Sequence, residues 1–262
     1  MYVFEHIAAA LYLAAGVGAV LGLVLPQPRA LFGARIGLAL GAVAQTAAFA
    51  TLHRLDPAPS LTDLAQVIAV ITWLGVIFVL LLQSRIKLPG FIPPLAFMAF
   101  LAAFGATLSG SVSGASQELV GGLPHAHVLL ASAGLAALGT AGLAGCFFLM
   151  EHRRLKTRRK PTRKIALPSL EALDRVNRVA LTLGFPLLTL GVLTGGLWLE
   201  SRAGQFFTGS LHETWTVLAW AIYVGLVAMR FGGKQGARQA AASAVAGFAF
   251  LLFAVVGVGL VS

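Results

Sequence analysis

Eight long apolar stretches limit what this chain can fold into more than any other feature. They cover residues 7–25, 33–52, 64–82, 92–109, 127–150, 179–199, 212–229 and 241–260. An α-helix needs about 20 predominantly apolar residues to cross the hydrocarbon core of a bilayer. The sequence therefore predicts an all-α fold, a polytopic transmembrane helical bundle of about eight spans. We expect residues 1–262 to form a single integral membrane domain.

The composition agrees with a chain solvated mainly by the lipid bilayer. Charged residues make up 11% of the sequence and the mean hydropathy is +0.88, whereas soluble domains carry about 25% charged residues. The net charge of +10 does not indicate nucleic-acid binding. Its Lys and Arg residues lie in short loops, without interleaved aromatic residues that could stack on bases.

The distribution of Lys and Arg predicts the orientation of the bundle. With the N-terminus outside, 17 of the 19 Lys and Arg residues fall in inner loops, and only Arg54 and Arg202 fall outside. Cytoplasmic loops are the ones that carry the excess of these residues. We expect an N-out, C-out protein of the inner (cytoplasmic) membrane. The basic run within 151–168 then serves chiefly as a topology signal, with a lipid-headgroup or partner site as the alternative.

A short amphipathic helix is expected after this basic run. Ser169 can cap it, and acidic residues in its first turn would favour its N-terminus. We expect it to lie on the cytoplasmic surface and to lead into the sixth span.

Histidine is the residue type that carries candidate chemistry. On the predicted topology, five of the six histidines lie at the outer boundary of the membrane: His6, His53, His125, His127 and His212. Neutral imidazole is a good axial ligand for haem iron. The alternative is that these residues are only polar caps at helix ends. His125 and His127 lie two residues apart, so at most one of them is expected to face a given site.

Other chemistries find little support in the sequence. There is no H-E-x-x-H or C-x-x-C motif, and Cys146 is the only cysteine, so zinc and redox sites are not indicated. Phosphate-binding, hydrolase and dinucleotide motifs are also missing, and we assign no catalytic residue. Few charges fall within the spans and no inverted repeat is visible, which argues against a transporter.

Four segments resemble the CcsA-type cytochrome c assembly proteins. They are L-D-R-V-N-R-V-A-L-T-L-G-F-P-L-L-T-L-G-V-L-T-G-G-L-W at 173–198, H-E-T-W-T-V-L-A-W-A-I-Y at 212–223, G-K-Q-G-A-R-Q-A-A-A-S-A-V-A-G-F at 233–248, and His127-Val128. The last of these is similar to the family's first external haem-ligand histidine, which also stands before a valine. The chain also resembles the shorter HemX/YpjD-type branch, which has eight spans and about this length.

The resemblance implies a haem site at the external face. His127 would be an axial ligand, and His212 is the best second candidate, with His53 and His6 as others. A groove lined by Trp198, Trp215, Phe206 and Phe207 would hold the porphyrin, and Arg202 would meet a propionate. For the two tryptophans, an aromatic belt at the membrane interface is the alternative.

The chain also departs from the family pattern. The W-G-x-x-W-x-W-D loop is replaced by L-E-S-R-A-G-Q-F-F-T-G-S-L at 199–211, and a second external histidine after the last helix is missing before Ser262. Two functions therefore stay open. One is haem handling at the external face for c-type cytochrome biogenesis, together with apocytochrome c and a partner assembly protein. In that case the chain would be a dependent component of a cytochrome c haem lyase. The other is HemX-like regulation of tetrapyrrole synthesis at the level of glutamyl-tRNA reductase, without catalysis.

The predicted orientation can be tested with reporter fusions. A fusion within 151–168 should report a cytoplasmic position, and a fusion after Ser262 should report an external one. The reason is that the charge asymmetry orients the first and the later spans alike. Paired alkaline phosphatase and fluorescent protein fusions provide the measurement. A cytoplasmic C-terminus would refute the eight-span topology.

Overall fold

The computed structural model describes residues 3–25, 27–52, 64–109, 122–157, 167–233 and 235–254. Within these ranges the chain is helical, with no strand. The helices are α1 Val3–Val24, α2 Pro28–Leu52, α3 Leu64–Gln83, α4 Ile92–Ser109, α5 Gly122–Lys156, α6 Leu170–Ala203, α7 Leu211–Gly232 and α8 Ala237–Leu252. A single 3₁₀ turn, Pro89–Phe91, leads into α4.

Seven helices in the described ranges are long and apolar enough to cross a membrane. These are α1 to α7, and α8 is a shorter apolar helix of 16 residues. The predicted end of the eighth span, residues 255–260, lies outside the described residues. The all-α, multi-pass fold is therefore confirmed. The N-out, C-out orientation and the single domain stay predictions.

The two longest helices extend well beyond the predicted spans. Helix α5 has 35 residues and continues through Arg153, Arg154 and Lys156, since Arg and Lys are good helix formers and cations are favourable at a helix C-terminus. Helix α6 has 34 residues, and Ser169 caps it by accepting a 3.2 Å hydrogen bond from Ala172 N. The prediction of a separate surface helix before the sixth span is wrong, because the same residues form the first turns of α6.

The chain divides into two compact units. The first contains Met1–Leu119 with Lys160–Pro168, and the second contains Val120–Arg159 with Ser169–Ser262. Helices α1 to α4 belong to the first unit and α5 to α8 to the second.

Close packing against glycines holds the first unit together. A Cβ at Gly41 of α2 would come within 2.6 Å of the Tyr12 ring of α1, so only glycine leaves room for that ring. The Tyr12 hydroxyl donates a 2.7 Å hydrogen bond to Gln45 Oε1. Gln45 Nε2 in turn donates to the Ala69 carbonyl on α3 at 3.2 Å. These bonds satisfy buried polar groups that would otherwise be costly in lipid.

In the second unit, α5 and α6 pack antiparallel along a seam of small residues. A Cβ at Gly134 would lie 2.6 Å from Leu188 N, one at Gly184 would lie 2.9 Å from the Leu138 side chain, and one at Gly191 would lie 2.8 Å from Ala131 Cα. Each step of three or four residues along α5 is matched by an equal step back along α6. On another face of α5, the Phe248 ring of α8 lies over Gly139 and Gly142.

A methyl group placed in this seam should destabilise the protein. Gly134→Ala would press its Cβ against the backbone of α6, which cannot rotate away, so we expect a loss of about 1–3 kcal/mol. The matched control is Gly225→Ala on α7, where a Cβ meets nothing within 4 Å. The measurement is the thermal unfolding midpoint of each variant in detergent. Equal midpoints for the two variants would contradict the close seam.

Candidate functional site

His127 lies at the end of the α5–α6 seam. Because α5 begins at Gly122, five residues before the predicted start of the fifth span, His127 lies in its second turn. The His127 Nδ1 atom is 2.7 Å from the Gly191 carbonyl oxygen of α6. The ring is half-buried. His127 lies one helical turn before Ala131, so its contact with α6 continues the α5–α6 seam by one turn beyond the contact of Ala131 with Gly191.

This hydrogen bond determines which tautomer of His127 is present. A carbonyl oxygen can only accept, so the neutral ring must carry its proton on Nδ1 and donate it to Gly191 O. The lone pair is then on Nε2. Histidines that bind metals commonly donate their other ring N–H to a backbone carbonyl or carboxylate in this way, which fixes the ring and raises its basicity as a ligand.

Gly195 makes this position of the ring possible. A Cβ there would lie 2.7 Å from His127 Nδ1 and 2.8 Å from Cε1, so any side chain would displace the imidazole. The same carbonyl of Gly191 also accepts a 3.0 Å hydrogen bond from the Thr194 hydroxyl. The environment of His127 is thus determined by a short stretch of α6.

Trp198 and Arg202 extend the site along α6. The Trp198 ring is 6.3 Å from the His127 ring, centroid to centroid, with 30° between the planes. The Arg202 guanidinium lies over Trp198, 5.7 Å from its centroid, within the range of a cation–π contact. The structure therefore brings three predicted site residues into one row: imidazole, indole and guanidinium.

His212 is the second residue of α7, and contacts between α6 and α7 define its level. Asp174 pairs with Arg230, and Trp220 stacks on Phe185 and bonds to Thr189. These contacts show that α6 and α7 run antiparallel, so a step forward along α7 corresponds to an equal step back along α6. Counting in this way from each contact places His212 level with residues 192–197 of α6. The imidazoles of His212 and His127 lie close enough to interact electrostatically, and His212 is exposed. The helix contacts thus place the two predicted ligands at about the same level of the unit.

Glu213 anchors the loop that precedes His212. Its carboxylate accepts hydrogen bonds from Thr208 N and Thr208 Oγ1, each at 2.7 Å, and from Gly209 N at 3.1 Å. In return, Ser210 Oγ accepts from Glu213 N at 3.3 Å and caps α7. This reciprocal arrangement is a variant of the capping box, and it holds the loop next to His212.

The predicted aromatic residues have different positions. Trp215 packs on Phe250 and Phe253 of the α8 segment, with ring centroids 5.8 and 5.4 Å away. Phe206 lies directly over Gly196 of α6, where a Cβ would overlap its ring. Phe207 is exposed. The aromatic faces nearest to His127 are therefore those on α6 and in the loop after it.

The remaining histidines have no assigned place in this site. His6 lies on α1 in the other unit, and His53 lies outside the described residues. His125 is on α5, and the His152 ring stacks on Phe148 with 6.1 Å between centroids. Among the described residues, no three His, Cys, Asp or Glu side chains are grouped to hold a metal ion.

The sequence reasoning missed three contributions to the site. These are the Gly191 carbonyl, the space at Gly195 and the carboxylate of Glu213. The spacing of Gly184, Gly191 and Gly195, in steps of seven and four residues, is the signal that could have predicted a close helix seam. The S-x-x-E pattern at 210–213 could have predicted the cap.

Comparison with known sequences identifies the family of this chain. A family model described as cytochrome C assembly protein matches residues 38–262. The chain belongs to this family. Proteins named cytochrome c biogenesis protein CcsA are similar to part of it. The protein from Prochlorococcus marinus (strain MIT 9303) is 33% identical over 96 residues, which is 37% of this chain and 30% of that protein.

Two further relatives carry the same name. The protein from Nostoc punctiforme is 31% identical over 90 residues, covering 34% of this chain and 26% of the relative. The protein from Microcystis aeruginosa is 30% identical over 90 residues, covering 34% and 27%. The alignments thus span less than one third of the relatives' own length. They give no support to the HemX-like regulatory alternative.

Removing the Glu213 carboxylate should loosen the loop next to His212. Glu213→Ala leaves the N–H groups of Thr208 and Gly209 without their acceptor, and loss of a helix cap costs about 1 kcal/mol. We expect faster amide hydrogen exchange in 204–212 and little change in α5. Glu213→Gln, which keeps one acceptor oxygen, should give an intermediate rate. Unchanged exchange in Glu213→Ala would show that the loop is held by other contacts.

Proposed function

We propose that this family member binds haem at the site formed by His127 and His212 and presents it at the external face of the inner membrane for c-type cytochrome biogenesis. The observation that carries the proposal is the His127 hydrogen bond to Gly191 O at 2.7 Å. It leaves the Nε2 lone pair available, which is the state in which an imidazole binds iron.

The donor set suits haem better than a bare metal ion. A structural zinc ion takes four protein ligands and a catalytic one takes three, whereas haem needs only one or two axial ligands from the protein. Two histidines at one level match that requirement. When bound, haem would supply an iron that takes imidazole as a ligand and can change its redox state.

The other residues support binding of a flat, apolar ring with two carboxylates. Trp198 offers an aromatic face beside His127, and Phe206 and Phe207 add apolar surface in the following loop. Arg202 is an exposed cation next to Trp198 and suits a propionate. Trp215 contributes indirectly, because its contacts with α8 fix the helix that carries His212.

We propose that the chain acts with partners and has no catalytic residue of its own. The W-x-W-D core is replaced in the loop at 199–211. A partner assembly protein with apocytochrome c would complete the reaction, with this chain as the haem-holding component of a cytochrome c haem lyase.

The test is the visible spectrum of the purified protein with haem supplied. His127→Ala should abolish or shift the Soret band, and His212→Ala should change the spin state of the bound haem. His125→Ala is the matched control, because it lies two residues away and about 200° around the helix axis. It should leave the spectrum nearly unchanged.

A cavity variant sharpens the assignment. His127→Gly should lose the band, and added imidazole should restore it by occupying the vacated position. Wild-type protein that binds no haem above background would contradict the proposed function. Haem binding that is indifferent to His127→Ala would retain the function but refute this ligand.

A further inference from the structure

Helix α7 carries His212 but is the helix with the least burial in its unit. Only Ala219 and Tyr223 of α7 are buried. Its polar links to α6 occur at two points along its length. Trp220 Nε1 donates a 3.0 Å hydrogen bond to Thr189 Oγ1, and Arg230 Nη2 donates a 2.7 Å hydrogen bond to Asp174 Oδ1.

The Asp174–Arg230 ion pair is largely removed from solvent. The Arg230 side chain is 6% exposed and that of Asp174 is 19% exposed. Arg178 also donates to Asp174, at 3.3 Å, but its side chain is 61% exposed. Exposed pairs between neighbouring turns contribute little, whereas breaking a buried pair leaves an uncompensated charge. Arg230 is therefore the partner that matters.

Asp174 is itself fixed to the α5–α6 seam. One turn further along α6, the buried Asn177 donates through Nδ2 to the Ala141 carbonyl of α5 at 3.3 Å. Leu173, next to Asp174, is fully buried. An arginine that binds Asp174 is thereby tied to the same pair of helices that holds His127.

Pro186 lies between the two positions of α6 that make polar contacts with α7. Proline removes one backbone hydrogen bond inside a helix and is a common point of bending, and Pro186 lies inside α6. The contact at Asp174 comes before Pro186, and the contact at Thr189 comes after it. Helix α7 contains no proline, so an uninterrupted helix contacts α6 on both sides of Pro186.

We propose that the Asp174–Arg230 pair, together with the Trp220–Thr189 bond, sets the register of α7 against α6 and so positions His212 opposite His127. Asp174 and Arg230 are positioning residues at the far end of the two helices. A slip of one residue would move His212 by about 1.5 Å along the axis and rotate it by about 100°. A pair of ligands must be held within about 0.5 Å. Only the haem measurement of this inference rests on the proposed function. The register of α7 against α6 can be tested without haem.

Spin-label distances test the register without haem. Labels are placed at Leu129 of α5 and Val217 of α7, both exposed, after the free Cys146 is replaced by Ser. The parent should give a narrow distance distribution by pulsed electron paramagnetic resonance. Arg230→Gln should broaden it or shift its centre by about 1.5 Å or more. Arg230→Lys, which keeps the charge, should restore most of the parent distribution.

Arg178→Gln is the matched control, since it removes the exposed partner of the same carboxylate, and it should leave the distances unchanged. If Arg230→Gln does not fold, Asp174→Asn and Thr189→Val weaken the two contacts separately and should each broaden the distribution. Parent-like distributions in all of the Arg230, Asp174 and Thr189 variants that fold would overturn the proposal.

The haem spectrum separates this inference from the proposed function. Arg230→Gln should resemble His212→Ala in spin state while retaining the ligation by His127. A parent protein without haem would defeat the proposed function, and the spin-label distances would still decide the register. A haem spectrum unchanged by Arg230→Gln would contradict the link between the ion pair and His212.

Discussion

The close approach of α5 and α6 is the constraint on which the second unit depends. Lipid tails are as apolar as leucine side chains, so helices in a bilayer associate mainly through packing, and small residues allow the backbones to meet. Gly134, Gly184 and Gly191 leave no room for a Cβ at the points where they contact the partner helix. Because the seam is this close, His127 at its end reaches the carbonyl of Gly191 and lies against Gly195. The orientation of the candidate ligand is thus a consequence of helix packing and does not need a loop to hold it.

Hydrogen bonds and ion pairs between the helices add to the packing contacts. A hydrogen bond between membrane helices contributes only about 0.6 kcal/mol on average, so such bonds select an arrangement more than they stabilise it. In this chain they occur between the sparsely packed α6 and α7 and also along the close α5–α6 seam, where His127 and Asn177 bond to backbone carbonyls. Several residues of the G-F-P-L-L-T-L-G and E-T-W segments make the packing and polar contacts that join the helices. Gly184 packs on α5, Phe185 and Thr189 hold Trp220, and Glu213 fixes the loop. The segments that resemble the family are largely those that fasten the helices to one another.

Apolar length was enough to predict the helices, since lipid leaves the backbone few alternatives. It could not predict their ends, because helix propensity and capping carry α5 past its apolar run to Lys156 and start α6 at Leu170. Residue type and predicted depth pointed to five outer histidines, and the resemblance to the assembly proteins singled out His127, with His212, Trp198 and Arg202 as further candidates. The acceptor at Gly191 was out of reach, since a backbone carbonyl has no signature in a sequence. Arg230 was counted only as one of the inner cations. Its burial against Asp174 depends on which faces of α6 and α7 meet, and charge counting does not contain that information.

The departures from the family motif fall in a part of the unit that the helix seam does not need. The aromatic core of W-x-W-D would belong to the loop between α6 and α7, which here runs from Gly204 to Ser210 and is held by Glu213 and by Phe206 on Gly196. The level of His127 is set by α5 and α6, and that of His212 by the contacts of α7 with α6, so neither depends on the composition of this loop. The positions of the two candidate ligands and the composition of the loop are therefore separate features of this unit. The loop at 204–210 contains no tryptophan, while the contacts of the helices beside it place His127 and His212 at about one level.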